Sequence, residues 1–217
     1  LIEKSLRAME NEKGKTRQRN KNKSKQDLIN AVGELLTTKG YSSLKVNNIA
    51  ATAGLDKKLI YKYFGGTEEL LDEYILNQDF WANVTSEKIP EVINDGGKEL
   101  TKLMLTSQFD FLEKNEELQK ILLWSLSEER KSLKNLIETQ EKNGEMIFAT
   151  ITDKFFGEKS REFRAISAIM VSGIYYLNMY AKKNGSVFCG IDLSEEEGKQ
   201  EIKNAITKMV DKIYEKE

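Results

Sequence analysis

The segment Asp56-Lys57-Lys58-Leu59-Ile60-Tyr61-Lys62-Tyr63-Phe64 concentrates the side chains best suited to a chemical task. On a helix, Lys57, Lys58, Leu59, Tyr61 and Lys62 occupy the outer and flanking faces, where cations and a phenol can meet the phosphates and base edges of duplex DNA. Other chemistries have little to work with. The 217 residues include no histidine, which excludes Ser-His-Asp and Cys-His triads and the common zinc sites. Cys189 is the only cysteine, so an internal disulfide is impossible, and without a resolving thiol it reads as incidental rather than redox-active. The acidic pairs Glu116-Glu117 and Glu128-Glu129 have neither metal-ligand spacing nor a phosphate loop beside them, and read as solvated helix starts. The expectation is a binding protein, not an enzyme, with no cofactor and no metal.

Those side chains need a scaffold, and the spacing around Gly54 supplies one. Ile49-Ala50-Ala51-Thr52-Ala53-Gly54-Leu55 leads into the Lys57 segment with helix-turn-helix spacing, whose second helix can enter a major groove. Ala50 is small where two helices approach closely, Gly54 permits a left-handed turn, and Ile49, Leu55 and Ile60 fill the wedge between the helices. A first helix is expected from Ser24, with Leu28, Ile29, Val32, Leu35 and Leu36 at helical spacing and Gly40 as its stop. The second helix is expected over Lys45 to Ala53 and the third over Lys57 to Phe64, with Asp56 as N-cap. A fourth is capped by Thr67 and runs through Leu70, Leu71, Tyr74, Ile75 and Trp81.

Charge follows the same division. Residues 1–70 carry 14 Lys and Arg against 8 Asp and Glu, whereas residues 71–217 carry 20 against 27, although the whole chain nets −1. A basic N-terminal part on an acidic body is the pattern of a nucleic-acid-binding module joined to a domain with another task. Residues 1–23 read as a basic tail, solvated and disordered, with a DNA-tracking arm as the sharper alternative. The N-terminus lacks the apolar core of a signal peptide and no run is long enough to span a bilayer, so a soluble cytoplasmic protein without membrane contact is expected.

The constellation of Gly40-Tyr41, Val46, Ile49-Ala50, Ala53-Gly54-Leu55, Ile60-Tyr61-Lys62-Tyr63-Phe64 and Glu69-Leu70-Leu71 resembles the N-terminal DNA-binding domain of the TetR family. Three positions depart from the family pattern: Lys45 stands where Thr is usual, Lys58 where a small residue is usual and Thr67 where Lys is usual. The resemblance implies phosphate contacts at positions 45 and 67 and adds Lys45, Tyr63 and Thr67 to the candidate DNA contacts. Lys45 would offset the charge missing at Thr67, and Lys58 would alter base preference.

The resemblance further implies an all-α fold: a three-helix DNA-binding domain over 24–70, followed over 71–217 by a helical effector-binding and dimerisation domain. The body itself reads as helices broken near Pro90 to Gly97, at Asn115, at Ser127 to Glu129, at Gly157 to Ser160 and at Asn184 to Leu193. Ser160 and Ser194 are expected N-caps of the last two helices, Arg161 to Lys183 and Glu195 to Tyr214. Trp81, Phe109, Trp124 and Phe148 are the candidate lining of an apolar effector pocket, with Gln108 or Gln140 as orienting groups, although most rings in a bundle of this size are simply core. The apolar and small stretch around Gly173 suits a homodimer contact. The leading function is therefore a ligand-responsive repressor that binds a palindromic DNA operator as a homodimer and releases it to a small-molecule effector. The alternative is a helical protein-interaction adaptor that has lost DNA binding.

Overall fold

A computed structural model describes residues 2–78 and 93–215, with side chains described from Arg19 onward. The chain is all-helical apart from one two-stranded hairpin among the described residues, and it divides into two compact units, 1–78 and 79–217.

The first unit contains α1 (Ile2–Lys39), a short 3-10 turn (Tyr41–Ser43), α2 (Val46–Ala53), α3 (Lys58–Phe64) and α4 (Thr67–Leu76). Leu28, Val32 and Leu36 recur every fourth residue along α1 and are wholly buried, as are Ile49 of α2, Ile60 of α3 and Leu70 and Ile75 of α4. Each such side chain contributes about 1.5–3 kcal/mol by leaving water. The first helix starts at Ile2, not at Ser24. Its apolar stripe begins only at Leu28, so periodicity reveals the packed half alone, while the polar first half contains no proline to stop it.

The second unit contains α5 (Lys98–Lys114), α6 (Glu116–Ser127), α7 (Lys131–Ile147), a π turn (Phe148–Thr152), α8 (Asp153–Phe156), a 3-10 turn (Gly157–Lys159), α9 (Ser160–Lys183), the hairpin strands β1 (Val187–Phe188) and β2 (Ile191–Asp192), and α10 (Glu196–Tyr214). Helix α5 packs against α9 and α10, burying Leu105, Phe109 and Leu112 with Phe163, Ile174, Ile206 and Val210 among the core residues. Ion pairs seal the α5–α10 seam: Asp211 meets Lys98 and Lys102 at 2.7 Å each, and Lys199 and Lys203 reach Glu113 and Asp110 at 3.1 Å.

The break between α5 and α6 is made by side chains replacing backbone partners. Asn115 Oδ1 accepts from the Leu118 amide at 2.9 Å, capping α6, and the buried Gln119 amide donates to the Leu112 carbonyl at 2.6 Å near the end of α5. The expected caps of the last two helices differ. Ser160 is the first residue of α9 and makes no capping bond, and Ser194 instead donates its hydroxyl and amide to Asp192 Oδ1, organising the turn before α10. The break before it contains the hairpin, whose turn residues Cys189 and Gly190 both have positive φ, as a tight two-residue turn requires. Gly198 allows α10 to pass close to the Asp192 carbonyl, space that a Cβ would occupy.

Candidate nucleic-acid interface

Helices α2 and α3 are set by the residues that join them. Gly54 takes the left-handed conformation (φ 64°, ψ 31°) and ends α2, while the Leu55 amide returns to the Ala50 carbonyl at 3.0 Å. Ile49 and Ala50 are buried and Leu55 is half-buried, so the wedge between the helices rests mainly on Ile49 and Ile60. Asp56 does the capping work expected of it, accepting from the Lys58 amide at 2.8 Å, although α3 begins one residue later than its spacing suggests. Thr67 is the first residue of α4 and makes no capping bond, with Gly66 as the N-cap.

Burying Ile60 fixes the rest of α3. At about 100° per residue, Lys58 and Lys62 point away from Ile60, Lys57 and Tyr61 form the adjoining row, and Leu59 and Tyr63 fall on the other flank. The exposures match: Lys57, Lys58, Tyr61 and Lys62 are exposed, Tyr61 by 55%, while Leu59 and Tyr63 are half-buried. Lys45 is exposed at the N-cap of α2 and Thr67 is half-buried at the start of α4. Lys57 reaches back to Asn47 Oδ1 at 3.4 Å, a long contact that holds the ammonium only loosely.

Two cations that the motif does not reveal also face this region. Lys21 lies 5.9 Å from the Tyr63 ring centre, which Lys62 approaches to 5.8 Å, and Lys25 lies 4.7 Å from the Phe64 ring centre and 3.7 Å from Glu73. Both contacts attach α1 to the end of α3. They depend on the tertiary contact of α1 with the end of α3, and the sequence signal for them was only the excess of positive charge.

The second unit contains a groove of about 1160 Å³ between α6, α7 and α9. Leu122, Leu133, Ile137 and Met179 line it, with Arg130, Lys131 and Lys134 set among Glu128, Glu129 and Glu138. Its wall includes Tyr175, whose hydroxyl accepts from Gln108 at 2.9 Å. Burial pushes the Tyr175 phenol up, keeping it protonated and able to donate. The candidate aromatics are not gathered in this groove. Trp124 does not line it and is 1% exposed, with its indole donating to Glu128 at 2.8 Å and the Arg130 guanidinium 5.5 Å from its ring. Phe109 is core, Phe148 is half-buried against Phe163 with centroids 6.1 Å apart, and Trp81 falls outside the described residues. Gln140 is half-buried on α7.

Among the described residues no helix is long and apolar enough to cross a membrane, and no cluster of three metal-ligating groups occurs.

Residues 28–74 match the model of the bacterial regulatory proteins of the tetR family. No curated protein sequence matches the chain. Similar solved structures include a TetR-like transcriptional regulator from Rhodococcus sp. RHA1, with TM-score 0.56 and 13% identity over 87% of this chain and 96% of that one. The fatty acid degradation regulator FadR from Bacillus halodurans gives TM-score 0.56 and 17% identity over 85% and 94%. FadR from Bacillus subtilis, solved in complex with stearoyl-CoA, gives 0.57 and 19% over 85% and 96%. At these identities the likeness is one of fold. Residues 28–74 are thus similar to the DNA-binding domain of the bacterial regulatory proteins of the tetR family, and the chain has the fold of TetR-like transcriptional regulators.

Proposed function

We propose that the chain is a ligand-responsive repressor that binds a palindromic operator as a homodimer in the cytoplasm, with α3 as its reading helix. The observation that carries this reading is the exposed face of α3, where burial of Ile60 turns Lys57, Lys58, Tyr61 and Lys62 outward. Lys45 and Thr67, at the starts of α2 and α4, would hold phosphates on either side, with Leu59 and Tyr63 on the flank of α3.

Homodimer formation is supported by α9. Ala165, Ala168, Ile169, Ser172 and Tyr176 are exposed at helical spacing, and Ala205 and Met209 are exposed on α10, which suits pairing of these two helices with their copies. Two-fold symmetry would place the reading helices about 34–36 Å apart or at a multiple of that distance.

The effector we infer is small and mainly apolar. The groove between α6, α7 and α9 supports it, with Leu122, Leu133, Ile137 and Met179 as apolar lining and Tyr175 as a polar anchor; Trp81, Phe109, Trp124 and Phe148 remain the proposed aromatics of the effector site without being part of that lining. The acyl chain of the stearoyl-CoA bound by a protein of the same fold is consistent with an apolar site, although its coenzyme A part is large and charged. Release of DNA requires the effector to favour one of two conformations, since equal affinity for both shifts nothing.

The test is fluorescence anisotropy of a labelled random-sequence duplex of roughly 30 base pairs titrated with wild type and with the Lys57→Ala/Lys58→Ala/Lys62→Ala variant. The variant is expected to lose at least tenfold in affinity. Equal binding by both proteins would leave α3 without a role in DNA contact and favour the adaptor reading.

A further inference from the structure

We propose that the basic N-terminal half of α1 is a second DNA-contacting element, one that grips backbone phosphates while α3 addresses the bases. The inference rests on the DNA-binding reading of α3 and extends it to a segment outside the family domain, since the family match begins at residue 28 while α1 begins at Ile2.

The charge pattern points to a polyanion. From Lys13 to Lys25 every second residue is Lys or Arg, and no acidic residue interrupts them. On a helix this spacing sorts the charges into two rows, Lys13, Arg17, Lys21 and Lys25 on one and Lys15, Arg19 and Lys23 on the other. Within each row every neighbour is a like charge four residues away, an arrangement that destabilises a helix standing alone in water. No opposite charge within the segment relieves it. A row of phosphates would relieve it, and release of the counterions condensed on DNA would drive the association.

The structure supplies the placement. Helix α1 is continuous from the basic rows into the buried stripe of Leu28, Val32 and Leu36, so the rows are joined to the domain core by helix and not by a linker. Lys21 and Lys25 contact the rings of Tyr63 and Phe64 at the end of α3, which places these two cations beside the reading helix. Arg19, Lys21 and Lys23 are exposed. At about 1.5 Å per residue, the 26 residues from Ile2 to Asp27 extend for roughly 40 Å, well beyond the footprint of a seven-residue reading helix. The occupant is therefore duplex DNA, held through its backbone and without sequence preference.

The test uses the full chain and the same random-sequence duplex, with affinity measured across a series of KCl concentrations. In the variant Lys13→Gln/Arg17→Gln/Arg19→Gln/Lys23→Gln, which leaves Lys21 and Lys25 on their rings, the slope of log K against log [salt] is expected to fall in magnitude by about 3.6, at roughly 0.9 for each of four phosphates no longer neutralised. Affinity should fall at least tenfold at moderate salt, while Lys13→Arg/Lys23→Arg keeps the wild-type slope. A second measurement needs no variant: lysine acetylation of the wild type, with and without DNA, read by mass spectrometry. Lys13, Lys15 and Lys23 are expected to be protected together with Lys58 and Lys62. Protection of Lys58 and Lys62 alone, with an unchanged slope in the Gln variant, overturns the proposal and leaves the α3 reading intact. Wild type that binds no duplex at all overturns both. An unchanged slope with loss of binding to phosphatidylglycerol vesicles assigns the rows to a membrane surface and likewise overturns the proposal.

Discussion

At the scale of residues, Lys57 and Lys58 are neighbours with different expected tasks. Lys58 projects directly opposite the buried Ile60, while Lys57 is on the adjoining row beside Asn47. If Lys58 contacts a base edge, Lys58→Ala should shift preference at one operator position by about 1–3 kcal/mol. Lys57→Ala should instead weaken all sequences alike and reduce the salt slope by about one. Competition between operator variants distinguishes the two outcomes. Gly54 is a separate case: a Cβ there meets nothing within 4 Å, so Gly54→Ala would cost only backbone strain, about 1–2 kcal/mol, read as a lower melting temperature. The residue types of this turn were legible because each has a local physical reason, a left-handed glycine, a small alanine and a carboxylate capping α3. Lys21 and Lys25 were not, because what recruits them is the tertiary contact of α1 with the end of α3.

At the scale of elements, the end of α7 and the start of α9 are joined by aromatic rings and by one guanidinium. Phe156 stacks on Phe163 with centroids 4.3 Å apart, Tyr214 from α10 meets both, and Arg164 bonds to Glu145 and to Asp153. Phe163 is 1% exposed, so Phe163→Ala should cost about 3–5 kcal/mol, measured by urea unfolding. The helix breaks at Asn115 and Gly157 were visible in the sequence as local stop signals. The π turn over Phe148–Thr152 was not, since it carries no proline or glycine to mark it. The caps of α9 and α10 escaped for a related reason. Serines can bond to several nearby groups, and Asp192 outcompetes the helix amides for Ser194.

At the scale of the whole molecule, the absence of histidine makes a statement about pH. Without histidine, no side-chain type in the chain ordinarily titrates between about pH 5.5 and 8, so stability and DNA affinity should be nearly flat across that range. Below it, Asp95, Asp153, Asp192 and Asp211 matter. Backbone amides hold the Asp95 carboxyl below its usual value, Arg164 does so for Asp153, the serines for Asp192, and Lys102 and Lys98 for Asp211. A depressed carboxyl stabilises the fold above its unfolded value near 4, and that contribution is lost as pH falls through the folded value. Cooperative acid unfolding, followed by circular dichroism, should therefore begin below about pH 4. A second whole-molecule prediction concerns assembly. Gly173 has nothing within 4 Å of where a Cβ would lie, so Gly173→Arg is tolerated within one protomer, and a loss of the dimer in sedimentation would report on the partner alone. Such a variant should keep its melting behaviour as a monomer and lose operator affinity.

Whether two copies of α3 read DNA through the side chains opposite Ile60 is decided by selecting duplexes from a random pool with the wild-type protein and sequencing those retained. The expected outcome is enrichment of an inverted repeat whose half-site centres are one helical turn apart or a multiple of it, abolished in the Lys57→Ala/Lys58→Ala/Lys62→Ala variant. A retained pool with no common sequence, or one equally enriched by that variant, would refute a reading role for α3.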